Sequence, residues 1–403
     1  LVRRGETPPI ERIIELDSRR KELIQAVDVD RANRNKVSKA IGDEKRKPMP
    51  EEIVEMRETG DRIKAIQADL AGVLEELNAT LLTIPNAPLD DVPDGLDEES
   101  NIVIRTSEGL TETHGNAHWD VATELDILDL EAGASIAGAR FYVLKGKGAK
   151  LQRALASWML DIQTEVHGYT EIDPPLLVRG ETMTGSGNLP KFKDNLYRDD
   201  ESDLWLVPTA EFSLNGLHQG QIIDPDKLPL KYVAQTPSFR KEQTSAGRDV
   251  RGIKRVHQFE KVEMFRYVEP ETSDEMLEEM LGEAESLCAR LGLTYRVLQL
   301  CAGDIGFQSA KTYDIEVWSP GCAEWLEVSS ISTCTDFQAR RNGTRYRPEV
   351  GASTKLPHTL NGSGLALPRI WIAVIENGLQ EDGSIVIPEV LVPYTGWDRI
   401  EAN

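Results

Sequence analysis

The chain has 403 residues, of which 40% are hydrophobic and 28% charged, enough to bury a sizeable core in two or three domains. Its net charge of −22 argues against a protein that coats nucleic acid, but a local basic surface could still dock one structured RNA. No apolar run approaches the roughly 18 residues of a membrane span, and no secretory signal is visible. We therefore expect a cytoplasmic protein without a membrane segment.

The N-terminal part, from about residue 9 to residue 82, has the pattern of two long helices. Steps of three and four residues in the second helix are typical of a coiled-coil seam, formed by Ile53, Met56, Gly60, Ile63, Gln67, Leu70, Leu74, Leu77, Leu81 and Ile84. The first helix carries a similar seam of Leu16, Leu23, Val27, Val37 and Ile41. Glycine and prolines in residues 42–50 predict the turn between them.

Basic residues concentrate in the first helix and at the tip of this predicted hairpin, whereas the second helix is acidic. Taken alone, such a hairpin is most simply a solvated coiled coil that serves in dimerisation or spacing. Residues 85–117, rich in Pro and Asp, resemble a linker. We therefore place an N-terminal helical domain in residues 1–100 and a second domain in residues 101–403.

Beyond residue 118 the chain alternates helices with runs of adjacent strands, predicted at 204–209, 254–268, 312–318 and 324–330. Because few βαβ intervals separate these strands, we expect an α+β fold with an antiparallel sheet. The four cysteines, Cys288, Cys301, Cys322 and Cys334, match neither a zinc motif nor a disulfide framework, so we expect reduced thiols and no zinc.

The segment from Pro237 to Phe265 concentrates groups suited to an adenine nucleotide. Arg240 and Glu242 share one strand face, and Phe259 and Glu263 alternate on the returning strand. A guanidinium can bind phosphate, a ring can stack on the base, and a carboxylate can accept from an exocyclic amine. A surface hairpin with cross-strand ion pairs would have the same pattern.

Three further segments carry suitable ligands. LEVSS contains Glu327 and Ser330, oxygen ligands suited to Mg²⁺. A glycine-rich turn at 361–364 precedes an apolar helix with Arg369 near its start, and TAE (209–211) offers a hydroxyl and a carboxylate to a small polar amino acid. Each group also has a plain structural reading, as a helix cap or a surface ion pair.

These segments resemble the signature motifs of class II aminoacyl-tRNA synthetases. FRKE with RDVRGIKRVHQFEKVE is similar to motif 2, LNGSGLALPR to motif 3, and residues 154–178 to motif 1, the dimerising helix and strand. PTAE, KTYDIEVW, LEVSS, DFQARR and the N-terminal hairpin together resemble the seryl-tRNA synthetases. The resemblance implies a class II catalytic domain with an antiparallel sheet flanked by helices, plus a long helical hairpin.

By resemblance, Arg240, Glu327 and Arg369 would be catalytic, Glu327 and Ser330 would hold Mg²⁺, and ATP and L-serine would be substrates. The serine site would comprise Thr209, Ala210, Glu211, Arg240, Glu263, Asn361 and Ser363. The ATP site would comprise Arg240, Lys241, Glu242, Val256, Phe259, Glu327, Val328, Ser329, Ser330 and Arg369. The hairpin would contact serine tRNA, across a homodimer, through Arg19, Arg20, Arg31, Arg34, Lys36 and Lys39.

Some positions depart from the family pattern, namely Lys241, Gln243, Thr244 and Ile331. The resemblance leaves open whether a selenocysteine tRNA is also charged. Two other readings compete with serine–tRNA ligation: an amino acid:carrier-protein ligase on the same fold, and a non-catalytic synthetase paralogue. The first would lack the hairpin and place zinc in the pocket, and the second would have lost Arg240, Glu242, Glu327 or Arg369.

Overall fold

The computed structural model describes residues 1–242 and 251–401. Their contacts divide the chain into two compact units, Thr7–Ile84 and a larger unit of Leu1–Glu6 with Pro85–Asn403. The segment from residue 85 to residue 100 thus groups with the larger unit, whereas the sequence pattern places the boundary near residue 100. Gln243 and Thr244 lie outside the described residues.

Within the described residues, the α-helices are α1 (Ile10–Asp43), α2 (Pro50–Leu82), α3 (His118–Glu124), α4 (Leu130–Ala137), α5 (Gly146–Asp161), α6 (Gly180–Gly185), α7 (Glu211–Gly216), α8 (Ser273–Arg290), α9 (Phe337–Asn342), α10 (Leu367–Gly378) and α11 (Val392–Thr395). A π-helical turn, Ile162–Val166, continues α5. Prolines occupy the first or second position of three of these helices, at Pro50, Pro368 and Pro393, where no amide donor is needed.

The strands of the same residues are β1 (Ile102–Thr106), β2 (Leu128–Asp129), β3 (Val143–Leu144), β4 (Thr170–Glu171), β5 (Leu177–Arg179), β6 (Leu204–Leu206), β7 (Ile222–Ile223), β8 (Leu230–Phe239), β9 (Gln258–Val268), β10 (Tyr295–Gln299), β11 (Lys311–Ser319), β12 (Glu324–Thr335), β13 (Arg345–Tyr346), β14 (His358–Ala366), β15 (Ile385–Val386) and β16 (Arg399–Ile400). The four strand segments predicted from the sequence all overlap strands of this set, although β6 ends at Leu206 and β9 begins only at Gln258.

Helices α1 and α2 pack together as the predicted hairpin. Arg62 of α2 reaches Asp30 of α1 at 3.2 Å, and Arg12 Nε of α1 donates to Glu76 of α2 at 2.9 Å. The seam of α1 is as predicted, with Leu16, Leu23 and Val27 buried. Hydrophobic burial along this seam, together with side-chain pairs across it, stabilises the hairpin.

The seam of α2 is half wrong in the sequence-based prediction. Met56, Ile63, Leu70, Leu77 and Ile84 do face inward. Between them the inward positions are Thr59, Ile66, Val73 and Thr80, each one residue before the predicted Gly60, Gln67, Leu74 and Leu81. In each heptad, two adjacent residues could fill the second core position. Because Leu74 and Leu81 are apolar, the prediction chose the later residue of each pair, but these two side chains are 37% and 43% exposed.

An eight-stranded sheet organises the larger unit, in the order β1-β10-β11-β12-β14-β9-β8-β4. Strand β4 joins β8 in parallel and the other neighbours run antiparallel, which confirms the predicted antiparallel α+β class. The first strand lies in residues that the sequence pattern assigned to a linker. Because its five residues are all exposed at the sheet edge, β1 lacks the buried residues that mark the long strands of the sheet.

The two faces of this sheet have opposite character. Val262 and Met264 of β9, Tyr313 and Ile315 of β11, and Leu360 of β14 point into a core that also includes residues of helices α5, α8 and α10. Side chains point alternately to either face of a strand, so the intervening residues of the same strands face away from this core. Those residues are mainly polar, and they form the wall of a cavity.

Candidate active site

A cavity of about 660 Å³ lies on the polar face of the sheet. This volume is within the range of small-molecule sites, and the wall combines several charged groups with aromatic rings. The structure brings most of the predicted site residues together here, although they come from distant segments of the chain: Thr209, Glu211, Arg240, Glu242, Val256, Phe259, Glu263, Glu327, Val328, Ser330, Asn361, Ser363 and Arg369.

Three predicted residues are not in the lining of this cavity. Ala210 is fully buried, and Ser329 is buried with its hydroxyl donating to the backbone oxygen of Ser363. The amide of Lys241 donates to Asn195 O at 3.1 Å, and its ammonium lies 5.6 Å from the centre of the Tyr197 ring. These side chains support the wall or lie beside it.

At one end of the cavity Glu211 is almost fully buried at the start of α7. Gln338 Nε2 donates to its carboxylate at 2.7 Å, and Asn361 Nδ2 lies 3.4 Å away. Burial and then the charge of Glu263 raise the pKa of Glu211 to about 7. Thr209 accepts a hydrogen bond from the Glu211 amide at 3.3 Å. This end therefore presents hydroxyl, carboxyl and amide groups within a small volume.

Sequence reasoning missed two residues at this end of the cavity, one in its wall and one that contacts Glu211 from outside the lining. Lys261, which follows Phe259 on the same strand face, is buried in the wall and pairs with Glu263. Gln338 comes from the DFQARR segment, which carried the family resemblance but no assigned role. The two-residue alternation on β9 pointed to Lys261, whereas only the folded chain reveals Gln338.

Arg240 follows β8, where the strand leaves the sheet. Its Nε donates to the backbone oxygen of Pro208 at 3.2 Å, and its guanidinium carbon lies 5.1 Å from the centre of the Phe259 ring. Guanidinium and ring are thus adjacent, as a site for a phosphate next to a stacked base requires. Glu242, two residues later, has an oxygen 3.8 Å from Arg255 Nη1.

Arg369 lies in the first turn of α10 and contacts β12. Its Nη1 is 2.7 Å from the backbone oxygen and 3.2 Å from a carboxylate oxygen of Glu327, and its Nε donates to Lys254 O at 3.3 Å. Desolvation in the cavity wall is the largest single influence and would raise the pKa of Glu327. The charge and hydrogen bond of Arg369, together with the charges of Arg240 and Arg255, outweigh it and hold this pKa below its usual value. Glu327 is therefore ionised at neutral pH.

The residues beside Glu327 fit a hard divalent cation. Ser330 lies opposite Asp314 across the β11–β12 ladder, and both line the cavity. One carboxylate oxygen of Asp314 is buried and has no hydrogen-bond partner among the described residues. Carboxylate and hydroxyl oxygens with an unsatisfied acceptor nearby are the donor set that Mg²⁺ prefers. The predicted pair of Glu327 and Ser330 is thus chemically suitable.

A second cluster, of His118, Cys322 and Glu376, lies outside the cavity lining. Its ligand atoms lie within 4.8 Å of one another, the one such set among the described residues. His118 Nδ1 is 3.1 Å from Glu376, and His118 Nε2 accepts from the Ile253 amide at 3.3 Å. The other Glu376 oxygen accepts from Ser319 and Gly321. Both ring nitrogens of His118 thus have hydrogen-bond partners within the protein. The cluster therefore has a structural role and is not a ligand site.

The residues predicted to contact tRNA all lie on α1. Arg31, Arg34, Lys36 and Lys39 are exposed, as a phosphate-binding surface requires. Arg19 pairs with Glu22 at 3.3 Å, and Arg20 pairs with Asp17 at 2.6 Å on the inward side of the helix. No helix among the described residues, α1 included, is both long and apolar enough to cross a bilayer.

Two family models match the chain. Residues 1–88 match the seryl-tRNA synthetase N-terminal domain, and residues 191–378 match the tRNA synthetase class II core domain (G, H, P, S and T). These matches cover the predicted hairpin and the segments that resemble motifs 2 and 3, whereas the motif 1 segment at 154–178 lies between them.

Relatives that align over nearly the whole chain indicate the same family as these two models. A serine–tRNA ligase of Thermomicrobium roseum is 54% identical over 394 residues, 97% of this chain and 88% of the relative. A serine–tRNA ligase of Roseiflexus sp. RS-1 is 52% identical over 401 residues, 98% of this chain and 94% of the relative. The crystal structure of seryl-tRNA synthetase from Pyrococcus horikoshii complexed with ATP superposes with a TM-score of 0.93 at 36% identity, covering 100% of this chain and 96% of that one. The chain belongs to the seryl-tRNA synthetase family.

Proposed function

We propose that this chain activates L-serine with ATP and transfers the seryl group to serine tRNA. The observation that carries the proposal is the shared cavity, in which Arg240, Glu327 and Arg369 meet a small polar pocket around Glu211. Relatives named serine–tRNA ligase, and the related synthetase solved with ATP, support the choice of substrates.

In the first step, an oxygen of the serine carboxylate attacks the α-phosphorus of ATP. A bond forms between this oxygen and the α-phosphorus. The bond between the α-phosphorus and the oxygen that bridges to the β-phosphate breaks, and pyrophosphate leaves. The carboxylate is already ionised at neutral pH, so this step needs no general base, and positioning and charge neutralisation lower the barrier. Arg240 would bind the serine carboxylate and the α-phosphate together.

The nucleotide would lie along the wall from Phe259 to Arg369. Phe259 would stack on one face of adenine and Glu242 would accept from its amine, while Arg369 would cover the other face and reach the γ-phosphate. Val256 would contact the nucleotide through its backbone. Glu327 and Ser330 would hold Mg²⁺, which neutralises phosphate charge when it is bound.

In the second step, a ribose hydroxyl of the terminal adenosine of tRNA attacks the seryl carbonyl carbon. The ester bond to tRNA forms, the bond to phosphate breaks, and AMP leaves. The basic residues of α1 would bind the tRNA, in a homodimer that positions one subunit's hairpin on the tRNA charged by the other. Charging of a selenocysteine tRNA is compatible with the same chemistry.

Serine selection follows from the polarity of the pocket. Thr209, Glu211, Asn361 and Ser363 together provide partners for a hydroxyl and an ammonium group. Alanine leaves the hydroxyl partners unsatisfied, which costs far more than a missing methylene.

Two assays in sequence test the proposal: ATP–pyrophosphate exchange by the full chain with serine, threonine and alanine in turn, and then charging of serine tRNA. We expect serine-dependent exchange, with alanine weaker by roughly 10³-fold or more. Exchange with alanine and transfer to a carrier protein would favour the carrier-protein ligase. Absence of exchange with every amino acid would favour the non-catalytic paralogue.

A further inference from the structure

The turn that follows α4 lies at the end of the β8–β9 hairpin where β8 stops and β9 begins. Arg140 in this turn donates from Nη1 to the backbone oxygen of Glu242 at 3.1 Å. The backbone oxygen of Arg140 accepts from the amide of His257 at 3.1 Å. One residue therefore connects the segment that leaves β8 with the segment that enters β9.

The contact joins two residues with unusual backbone conformations. Arg140 has a φ of +63° and Glu242 a φ of +46°, a backbone region that residues other than glycine rarely adopt. Such conformations persist where surrounding contacts hold them, and they cluster at ligand-binding sites. The hydrogen bond to the Glu242 carbonyl is a contact of this kind, because it holds the backbone oxygen of Glu242 in one orientation.

The turn itself is firmly placed. Gly133 of α4 lies so close to the returning chain that an added Cβ would be 2.5 Å from the backbone of Phe141 and Tyr142. The Phe141 ring packs against His257 at 5.3 Å between centroids. His257 also donates from Nδ1 to Arg240 O at 3.0 Å, and Arg240 N donates to His257 O at 2.9 Å. Arg140 thus lies in a turn whose position is held by close packing and hydrogen bonds.

We propose that Arg140 is a positioning residue that holds Glu242 in the backbone conformation with which it recognises the adenine amine. The inference rests on the proposed function, because it takes adenine as the partner of Glu242. Arg140 is not in the cavity lining and acts through Glu242. Neither the sequence motifs nor the family resemblance gave this residue a role.

The test is serine-dependent ATP–pyrophosphate exchange by the full chain with Arg140→Met and Arg140→Lys. Arg140→Met keeps the aliphatic stem and removes the donor, so we expect the KM for ATP to rise by about 10-fold or more, the scale of a lost charged hydrogen bond. The KM for serine should change less than about twofold. Arg140→Lys keeps a donor and should recover part of the loss.

A base analogue separates positioning from general damage. Purine riboside triphosphate lacks the 6-amino group, so the wild type should prefer ATP over it, and Arg140→Met should lose much of that preference. In the double variant with Glu242→Ala, the loss of Arg140 should add little. Arg179→Ala, which removes an arginine whose side chain is 77% exposed, is the matched control and should behave as wild type.

The outcomes are distinct. Equal increases in the KM for ATP and for serine, an unchanged preference for ATP over the analogue, or additive losses in the double variant would overturn the inference. If Arg140→Met unfolds, the comparison of Arg140→Lys with wild type on the two nucleotides decides the question alone. Exchange by the wild type is measured before any variant, because its absence would contradict the proposed function and not the role of Arg140.

Discussion

Arg369 contacts both the backbone oxygen and the carboxylate of Glu327, at 2.7 and 3.2 Å from the same Nη1 atom. The two contacts tie the first turn of α10 to β12 and place a cationic and an anionic group side by side on the cavity wall. A triphosphate with its cation offers each of them a counter-ion of its own. The pairing therefore keeps both side chains in place and keeps Glu327 ionised.

The first prediction concerns the metal. Glu327→Gln keeps the shape of the side chain but removes the charge that would bind Mg²⁺, so we expect the Mg²⁺ concentration for half-maximal exchange to rise at least about tenfold. Binding of Mn²⁺ in the presence of ATP, followed by electron paramagnetic resonance, should weaken in parallel. Glu349→Gln removes an exposed carboxylate outside the cavity lining and should leave both values unchanged. Unaltered metal dependence in Glu327→Gln would remove this residue from the metal site.

The second prediction concerns Arg240. Arg240→Ala should lower kcat/KM for exchange by about 10²–10³-fold, or about 2.7–4 kcal/mol, the scale of losing one preorganised charge-stabilising donor. Arg240→Lys should recover little, because an ammonium group lacks the planar pair of donors that binds two oxygens at once. The control is Arg345→Ala, which removes an exposed arginine of β13. Retention of wild-type exchange in Arg240→Ala would exclude the proposed role.

The third prediction concerns the pH dependence of stability. The pKa of Glu211 is raised to about 7, so the folded chain holds this proton more tightly than the unfolded chain does. The stability that this group contributes is full below about pH 4.5 and is lost as the pH rises through about 7. Glu211→Gln lacks this titration.

Urea unfolding between pH 5 and pH 8 measures the effect. The free energy of unfolding of the wild type should fall relative to that of Glu211→Gln by up to about 3 kcal/mol over this range. Other titrating groups act on both proteins and cancel in the difference. Parallel pH profiles for the two proteins would show that the pKa of Glu211 is not raised.

The fourth prediction concerns the hairpin. Arg31→Ala with Lys39→Ala removes two exposed cations of α1, so we expect the KM for tRNA to rise and its dependence on salt to become shallower by about 1–2 units in the log–log slope. ATP–pyrophosphate exchange without tRNA should stay within about twofold of wild type. Arg57→Ala with Lys64→Ala, the matched pair on α2, should leave charging intact. Equal effects of the two pairs would mean that α1 is not the tRNA surface.

The sequence predicted the class of fold because its signals are local. Polar and apolar residues alternate on β9 and β11, and prolines and glycines mark the turn of the hairpin. The α2 seam was placed one residue too late at alternate positions, because the partner helix decides which of two adjacent residues is buried. Strand β1 was missed because an exposed edge strand leaves no pattern of burial in the sequence.

The candidate site was predicted chiefly through the family resemblance. Residue chemistry alone favoured a surface hairpin as the reading of Arg240, Glu242 and Phe259, because spacing along the chain does not show that β8, β12 and α10 meet at one cavity. Gln338 and Arg140 are examples of residues whose roles the sequence could not indicate. Each acts through a contact with a residue more than 100 positions away, at Glu211 and at Glu242, so that only the folded chain indicates its role.

The most direct test of the account is a crystal structure of the chain with a non-hydrolysable ATP analogue, serine and Mg²⁺. The account predicts one triphosphate in the cavity, with the guanidinium of Arg240 at the α-phosphate, that of Arg369 at the γ-phosphate, and the cation on Glu327 and Ser330. A nucleotide bound elsewhere, or one that leaves either arginine out of contact with its phosphates, would contradict it.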